Sequence, residues 1–372
     1  TKNKNMLIYF IIFAFLAFST IIRFKYSYLF LLIFAMIAGT RYECGGDFYV
    51  YKDYFDIVVS LYESGNLFTQ ITKYNIEFIF TGINLMVYFL GLDFFYVFLV
   101  VGFLSNFYLY KILKIYKKND VDINIFIITY FAFIFFIQQM WYIRQSLSII
   151  LTIYGFFLLF EKKYLKFIIY LIVAAGVHFS SSIVIIPILI ISYIIKNTKV
   201  LRFFLVFLII TGVIIASFNV HVIEHIVKIS DFILTPSINF VRYYAYESQW
   251  SGQAVERVGL LQIFIVFLSI YVLVFKKLYY LENKFNKFNI ILMVFYIFFS
   301  FFLYELEIAR RINCSLLFGL CLFLANEHNI IKQNFVFRFF IILFSFMYLI
   351  RFLILNDFNY ELFKTYQSFL FI

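Results

Sequence analysis

Apolar runs of near-spanning length recur from one end of this chain to the other, and they constrain its fold more tightly than anything else in it. They fall at about 6–22, 28–39, 77–91, 94–110, 123–142, 144–160, 167–178, 179–195, 203–219, 259–275, 289–304, 311–325 and 339–355. A helix needs about 20 apolar residues to cross a hydrocarbon core. Inside lipid the backbone must satisfy its own hydrogen bonds, and a helix does so segment by segment. The pattern predicts an all-α polytopic integral membrane protein of about 12–14 transmembrane helices, one transmembrane domain over residues 1–372. A soluble fold is excluded, because 65% of the residues are hydrophobic and only 14% are charged. The first run starts near Met6 and others follow, so it reads as a span rather than a cleaved signal.

The cations are sorted by type. Lysines crowd the short polar breaks: Lys111, Lys114, Lys117 and Lys118, then Lys162, Lys163 and Lys166, then Lys196 and Lys199, then Lys276, Lys277, Lys284 and Lys287. Lysine marks cytoplasmic loops. Arg41, Arg144, Arg242, Arg257, Arg310 and Arg311 fall at the other ends of the apolar runs, and Arg351 falls within one. Arginine is the permanently charged planar fork that grips phosphate through two bonds. One cation therefore reports orientation, and the other points to an anion site on the opposite face. The net charge of +11 is not a nucleic-acid signal, since no soluble basic domain carries it. Lysines at a bilayer surface account for it.

With the lysines in the cytoplasm, residues 40–76 and 220–258 form two long extracytoplasmic loops. Both are rich in Tyr, Asn, Gln, Asp and Glu. Such a mixture suits a sugar, and it equally suits an interfacial aromatic belt. The crossing count does not close between residue 40 and Lys111. An odd number is required, and two apolar runs, 77–91 and 94–110, lie between them. One run re-enters, or part of 48–62 enters the membrane.

Several short motifs combine charge with unusual backbone. Arg41 and Asp47 flank Gly45-Gly46 after the second span, where glycines allow close approach of a ligand or simply end a helix. Trp141-Tyr142-Ile143-Arg144-Gln145-Ser146 puts a charge between two long apolar runs. That placement favours function over snorkelling to headgroups. His178-Phe179-Ser180-Ser181-Ser182 offers a base of suitable ordinary pKa, or a structural histidine followed by helix caps. Arg242 with Tyr243, and Glu256 with Arg257, bracket the second loop, and Arg310-Arg311 opens a late span. Several arginines on one face suggest a strongly anionic ligand, such as a pyrophosphate. Cys44, Cys314 and Cys321 form no spaced motif and read as small buried hydrophobes. His221-Val222-Ile223-Glu224-His225 matches the H-x-x-E-H zinc pattern, but no third ligand is marked, so no metal is expected. No nucleotide-binding glycine loop is present in the sequence.

In their order these pieces resemble the EpsG family of the wider Wzy polysaccharide polymerases. The resemblance rests on Arg41 with Gly46-Asp47 and Tyr51, and on Ile143-Arg144-Gln145-Ser146 opening a span. It continues through Glu161-Lys162-Lys163, His178-Phe179-Ser180 and Ala309-Arg310-Arg311-Ile312, covering the chain from about residue 30 onward. The Arg-Gln, Lys-Lys, His-x-Ser succession is its specific part, and Cys44-Gly45 is a local variation. The resemblance implies a GT-C-like membrane glycosyltransferase of O-antigen, capsule or exopolysaccharide assembly. It would join repeat units carried on undecaprenyl pyrophosphate at the outer face of a bacterial inner membrane, needing no cofactor. A Wzz-type chain-length regulator and a Wzx-type flippase are the partners it implies, alongside the lipid bilayer.

On this reading Arg144, Arg257 and Arg310 or Arg311, with Arg41 beside them, stabilise the leaving pyrophosphate. Gln145, Arg242, Tyr243 and Glu256 bind substrate. His178 and Asp47 compete for the role of base, with His178 ranked first. A lipid-linked oligosaccharide flippase and a membrane O-acyltransferase are the alternatives.

Overall fold

Each of those apolar runs is helical in the computed structural model, which describes residues 6–67, 69, 77–117, 121–217, 260–276, 281–302, 307–326, 335–356, 361–364 and 366–371. The helices are α1 (Leu7–Ile22), α2 (Leu29–Gly39), α3 (Phe48–Glu63), α4 (Phe78–Phe89), α5 (Phe95–Lys117), α6 (Ile123–Gln138), α7 (Ile143–Phe160), α8 (Tyr164–Val177), α9 (Phe179–Ile194), α10 (Thr198–Ser217), α11 (Leu260–Phe275), α12 (Lys284–Phe302), α13 (Glu307–Ala325) and α14 (Phe335–Leu353). Among the described residues, α5, α7, α10, α12 and α14 are long and apolar enough to cross a membrane, and seven shorter apolar helices accompany them. The protein is an all-α polytopic membrane protein.

The chain divides into two compact units, residues 1–186 with 324–372 and residues 187–323. In the first, α7 is the central helix, with 83% of its apolar window buried against 28% for α14. A helix apolar on all sides belongs inside a bundle. Antiparallel α2 and α5 approach closely because glycines meet there. A methyl at Gly39 would lie 2.8 Å from Leu99 Cα, and one at Gly102 would lie 3.0 Å from Ala35 O. Asp122 caps α6, accepting the Asn124 and Ile125 N–H groups at 2.9 and 3.4 Å. Its other oxygen pairs with buried Arg338 of α14, which also donates to Thr20 O at 2.8 Å. Residues Phe131–Phe135 of α6 form a π-helical turn.

The lysine-bearing ends of the first unit gather together. Lys117 reaches the Tyr28 ring, and Tyr116 packs on Phe157 at 4.9 Å. At the opposite end a short strand β1 (Arg41–Tyr42) pairs antiparallel with β2 (Gln367–Ser368). Phe95, which opens α5, stacks on Phe369 and lies 5.5 Å from Tyr42. In the second unit, α12 packs on α10, with Phe301 3.3 Å from a methyl built at Gly212. Lys287 donates to Ile195 O at 2.9 Å and Arg202 to Lys276 O at 2.6 Å, so its basic breaks also lie side by side.

Residues 40–76, expected as a long extracytoplasmic loop, contain the strand β1 and the 16-residue helix α3. Phe48, Tyr51, Phe55 and Val58 recur at helical spacing and are buried, while Lys52, Asp53 and Asp56 are exposed. Helices α3 and α4 run the same way: Tyr54 meets Phe80 at 5.3 Å, and Tyr62 meets Phe89 at 5.0 Å. Helix α4 begins and α5 begins at the arginine end of the bundle. Only residues 90–94 join them, reaching at most about 18 Å when extended. Helix α3 therefore lies beside α4, and α4 and α5 are joined by a tight connection.

Candidate active site

The site is assembled where α4, α7 and α8 end against α3, over a core that includes Phe48, Phe80, Phe98 and Leu147. Gly176 lets α8 close on α4, since a methyl there would fall 2.5 Å from both Ile79 Cγ1 and Phe78 Cζ. Ser148 of α7 fixes the turn that follows. Its hydroxyl lies 2.9 Å from Ala174 O and 3.0 Å from His178 O. His178 is the extended residue between α8 and α9. Glu77 is the residue preceding α4, and the glycine contact beside it brings the two together.

One carboxylate then joins two distant motifs. Glu77 Oε2 accepts from Arg144 Nη1 at 2.9 Å, and Glu77 Oε1 pairs with His178 Nδ1. The three side chains are 13%, 22% and 20% exposed, so the cluster is enclosed but reachable. The Arg144 guanidinium sits among the rings of Tyr51, Tyr54 and Phe80 at 5.4, 5.3 and 5.4 Å, within cation–π range. Tyr54 shares a hydrogen bond with Thr81 at 2.9 Å. Arg144 Nε is buried and has no acceptor among the described residues.

The two glycine and tryptophan motifs form the adjoining wall. Gly45 has φ +96°, and a side chain there would strike Met140 O at 2.0 Å. One at Gly46 would meet the Trp141 ring at 2.3 Å. Only glycines let the loop seat beneath that indole. Trp141 Nε1 donates to Asp47 Oδ1 at 3.2 Å. Asp47 leads into α3, and its carbonyl accepts the Tyr51 N–H at 3.1 Å. Tyr51 thus links Asp47 to Arg144.

Arg41 lies inside the fold. It is 1% exposed and donates to Cys44 O at 3.1 Å, to Ala38 O and to Gln139 O at 3.4 Å. Its guanidinium lies 4.1 Å from the Phe98 ring. Burial pulls its pKa down to about 10. Those carbonyls make it the clasp of the loop at 40–47. Gln145 is buried in the first turn of α7. Arg310 and Arg311 lie in α13, and their side chains are outside the described residues. Arg242, Tyr243, Glu256, Arg257, the loop 220–258 and the His221–His225 pattern also lie outside them. Glu77 is the residue sequence reasoning missed. Its only signal was a carboxylate on the threshold of an apolar run.

A half-enclosed arginine, carboxylate and histidine at the mouth of a helical bundle define a polytopic membrane protein with an ionic site at one face. A family model matches residues 24–368, nearly the whole sequence. The chain belongs to the EpsG family, a family of Wzy-like polysaccharide polymerases. No curated protein and no solved structure matches it.

Proposed function

We propose that this protein joins oligosaccharide repeat units carried on undecaprenyl pyrophosphate, at the outer face of a bacterial cytoplasmic membrane. The observation that carries the reading is the meeting of Arg144 and His178 on one carboxylate. Phosphate recognition and proton acceptance are the two demands of this transfer, and these residue types meet them side by side.

The acceptor hydroxyl attacks the donor sugar C1. The C1–O bond to pyrophosphate breaks, and its electron pair leaves on the pyrophosphate oxygen. The hydroxyl proton passes to His178 Nε2, because Nδ1 is directed at Glu77. Arg144 faces the charge that grows on the leaving group. Asp47, held by Trp141, orients sugar on the α3 side. His178 is the base and Asp47 a binding group, since His178 adjoins the arginine directly. The growing glycan leaves its lipid carrier and passes to the incoming unit, with a chain-length regulator and a flippase as working partners.

Purified protein with lipid-linked repeat unit provides the test. Arg144→Ala and His178→Ala are expected to lower polymer formation and undecaprenyl pyrophosphate release by about 100-fold or more. Arg144→Lys is expected to recover little, because a point charge lacks the fork. Wild-type chain lengths from all three variants would sink the reading. Transport of repeat units without release of undecaprenyl pyrophosphate would make the protein a flippase instead.

A further inference from the structure

We infer that Glu77 is a positioning residue with two separate holds, one on the base and one on the arginine that meets the donor. The inference rests on the reading above and adds to it a residue that neither the sequence motifs nor the family match assigns. Oε1 faces His178 Nδ1 and Oε2 faces Arg144 Nη1. The first hold fixes the imidazole as the tautomer protonated on Nδ1, which puts the lone pair on Nε2. As the proton arrives at Nε2, the ring becomes a cation directly beside a carboxylate. The second hold keeps Arg144 among Tyr51, Tyr54 and Phe80 before any donor is present.

The two holds have opposite consequences for the donor. A carboxylate on Arg144 Nη1 competes with the pyrophosphate for the same cation. Glu77 therefore favours turnover and opposes donor affinity. A carboxylate that merely held the fold would favour both.

Glu77→Gln and Glu77→Asp separate these roles in the full-length protein. Turnover is measured with lipid-linked repeat unit, and affinity with undecaprenyl pyrophosphate alone, each at equal amounts of folded protein. Glu77→Gln keeps the size and an acceptor oxygen but loses the charge. It is expected to lower kcat by about 100-fold while undecaprenyl pyrophosphate binds as tightly as before or more tightly. Glu77→Asp keeps the carboxylate and is expected to recover about tenfold of that loss. Added to His178→Ala, Glu77→Gln should lower turnover by less than it does alone, because one of its two targets is gone. Turnover within threefold of wild type for Glu77→Gln overturns the inference. So does a parallel fall in turnover and affinity, or an Asp variant no better than Gln. If Arg144→Ala and His178→Ala themselves polymerise normally, the proposed function fails first, whatever Glu77 does.

Discussion

A single methyl group at residue 176 tests whether the close approach of α8 to α4 sets the catalytic geometry. In Gly176→Ala the new carbon would lie 2.5 Å from Ile79 Cγ1 and from Phe78 Cζ. Ordinary carbon contacts lie at about 3.5–4.0 Å, so about 1 Å must be found. Phe78 is 51% exposed, and its ring can swing outward. Ile79 is packed against the core and resists. Overpacking of this kind costs about 1–3 kcal/mol. Alanine returns about 1 kcal/mol in helix propensity over glycine. The net loss of stability is therefore about 0–2 kcal/mol, a small effect. Catalysis is affected more severely. His178 follows Gly176 by two residues, and Glu77 immediately precedes Phe78, so spreading the helices separates the pair. A misplacement of about 1 Å costs about 100-fold in rate. Gly176→Ala is expected to unfold at nearly the wild-type temperature and to polymerise lipid-linked repeat unit about 100-fold more slowly. Ile79→Ala in the same chain removes the obstructing carbon and should restore at least about tenfold of that loss. A wild-type rate in the single variant would refute the role of this contact. A double variant as slow as the single one would refute the steric mechanism.

Two further expectations concern stability and reactivity. Asp122→Ala removes the carboxylate paired with Arg338, which is 2% exposed, and removes the α6 cap. Thermal unfolding in detergent should show a loss of about 3–5 kcal/mol, with turnover per folded molecule preserved because this pair lies at the lysine end; an unchanged unfolding temperature would contradict it. Burial raises the Cys44 thiol to about 11, and a raised thiol pKa leaves little thiolate below that pH. With Cys314 and Cys321 also buried, an alkylating reagent at pH 8 should label the folded protein negligibly and the denatured protein at all three cysteines; rapid labelling of Cys44 in the folded protein would count against its burial.

The helices were legible because each apolar run had to satisfy its backbone within itself. Arg144 and His178 were legible because a charge and an imidazole between long apolar runs demand a reason. Glu77 was not, since it lies 67 residues from Arg144 and 101 from His178. No local pattern joins residues that tertiary packing alone brings together. Helix α3 carried a readable signal in Phe48, Tyr51, Phe55 and Val58, but its exposed charges made the segment resemble a loop. Arg41, beside two glycines, reads in the sequence as a ligand-binding cation. In the structure the loop turns back on itself, and three main-chain carbonyls take up the guanidinium.

The sorting of cations has a physical logic once Glu77 is included. An unpaired arginine near hydrocarbon is costly, so a site designed to receive an anion needs a partner for the cation while it waits. Glu77 supplies one negative charge and occupies one arm of the fork. Three aromatic rings surround the guanidinium. On the proposed function, a pyrophosphate brings more charge and several oxygens, and so displaces the carboxylate. A lysine at residue 144 could hold Glu77 equally well, but it lacks the planar fork that grips two oxygens at once. Arg144→Lys should therefore fold and retain the ion pair while binding undecaprenyl pyrophosphate about tenfold or more weakly. Equal affinity for the lysine variant would show that charge alone recruits the donor.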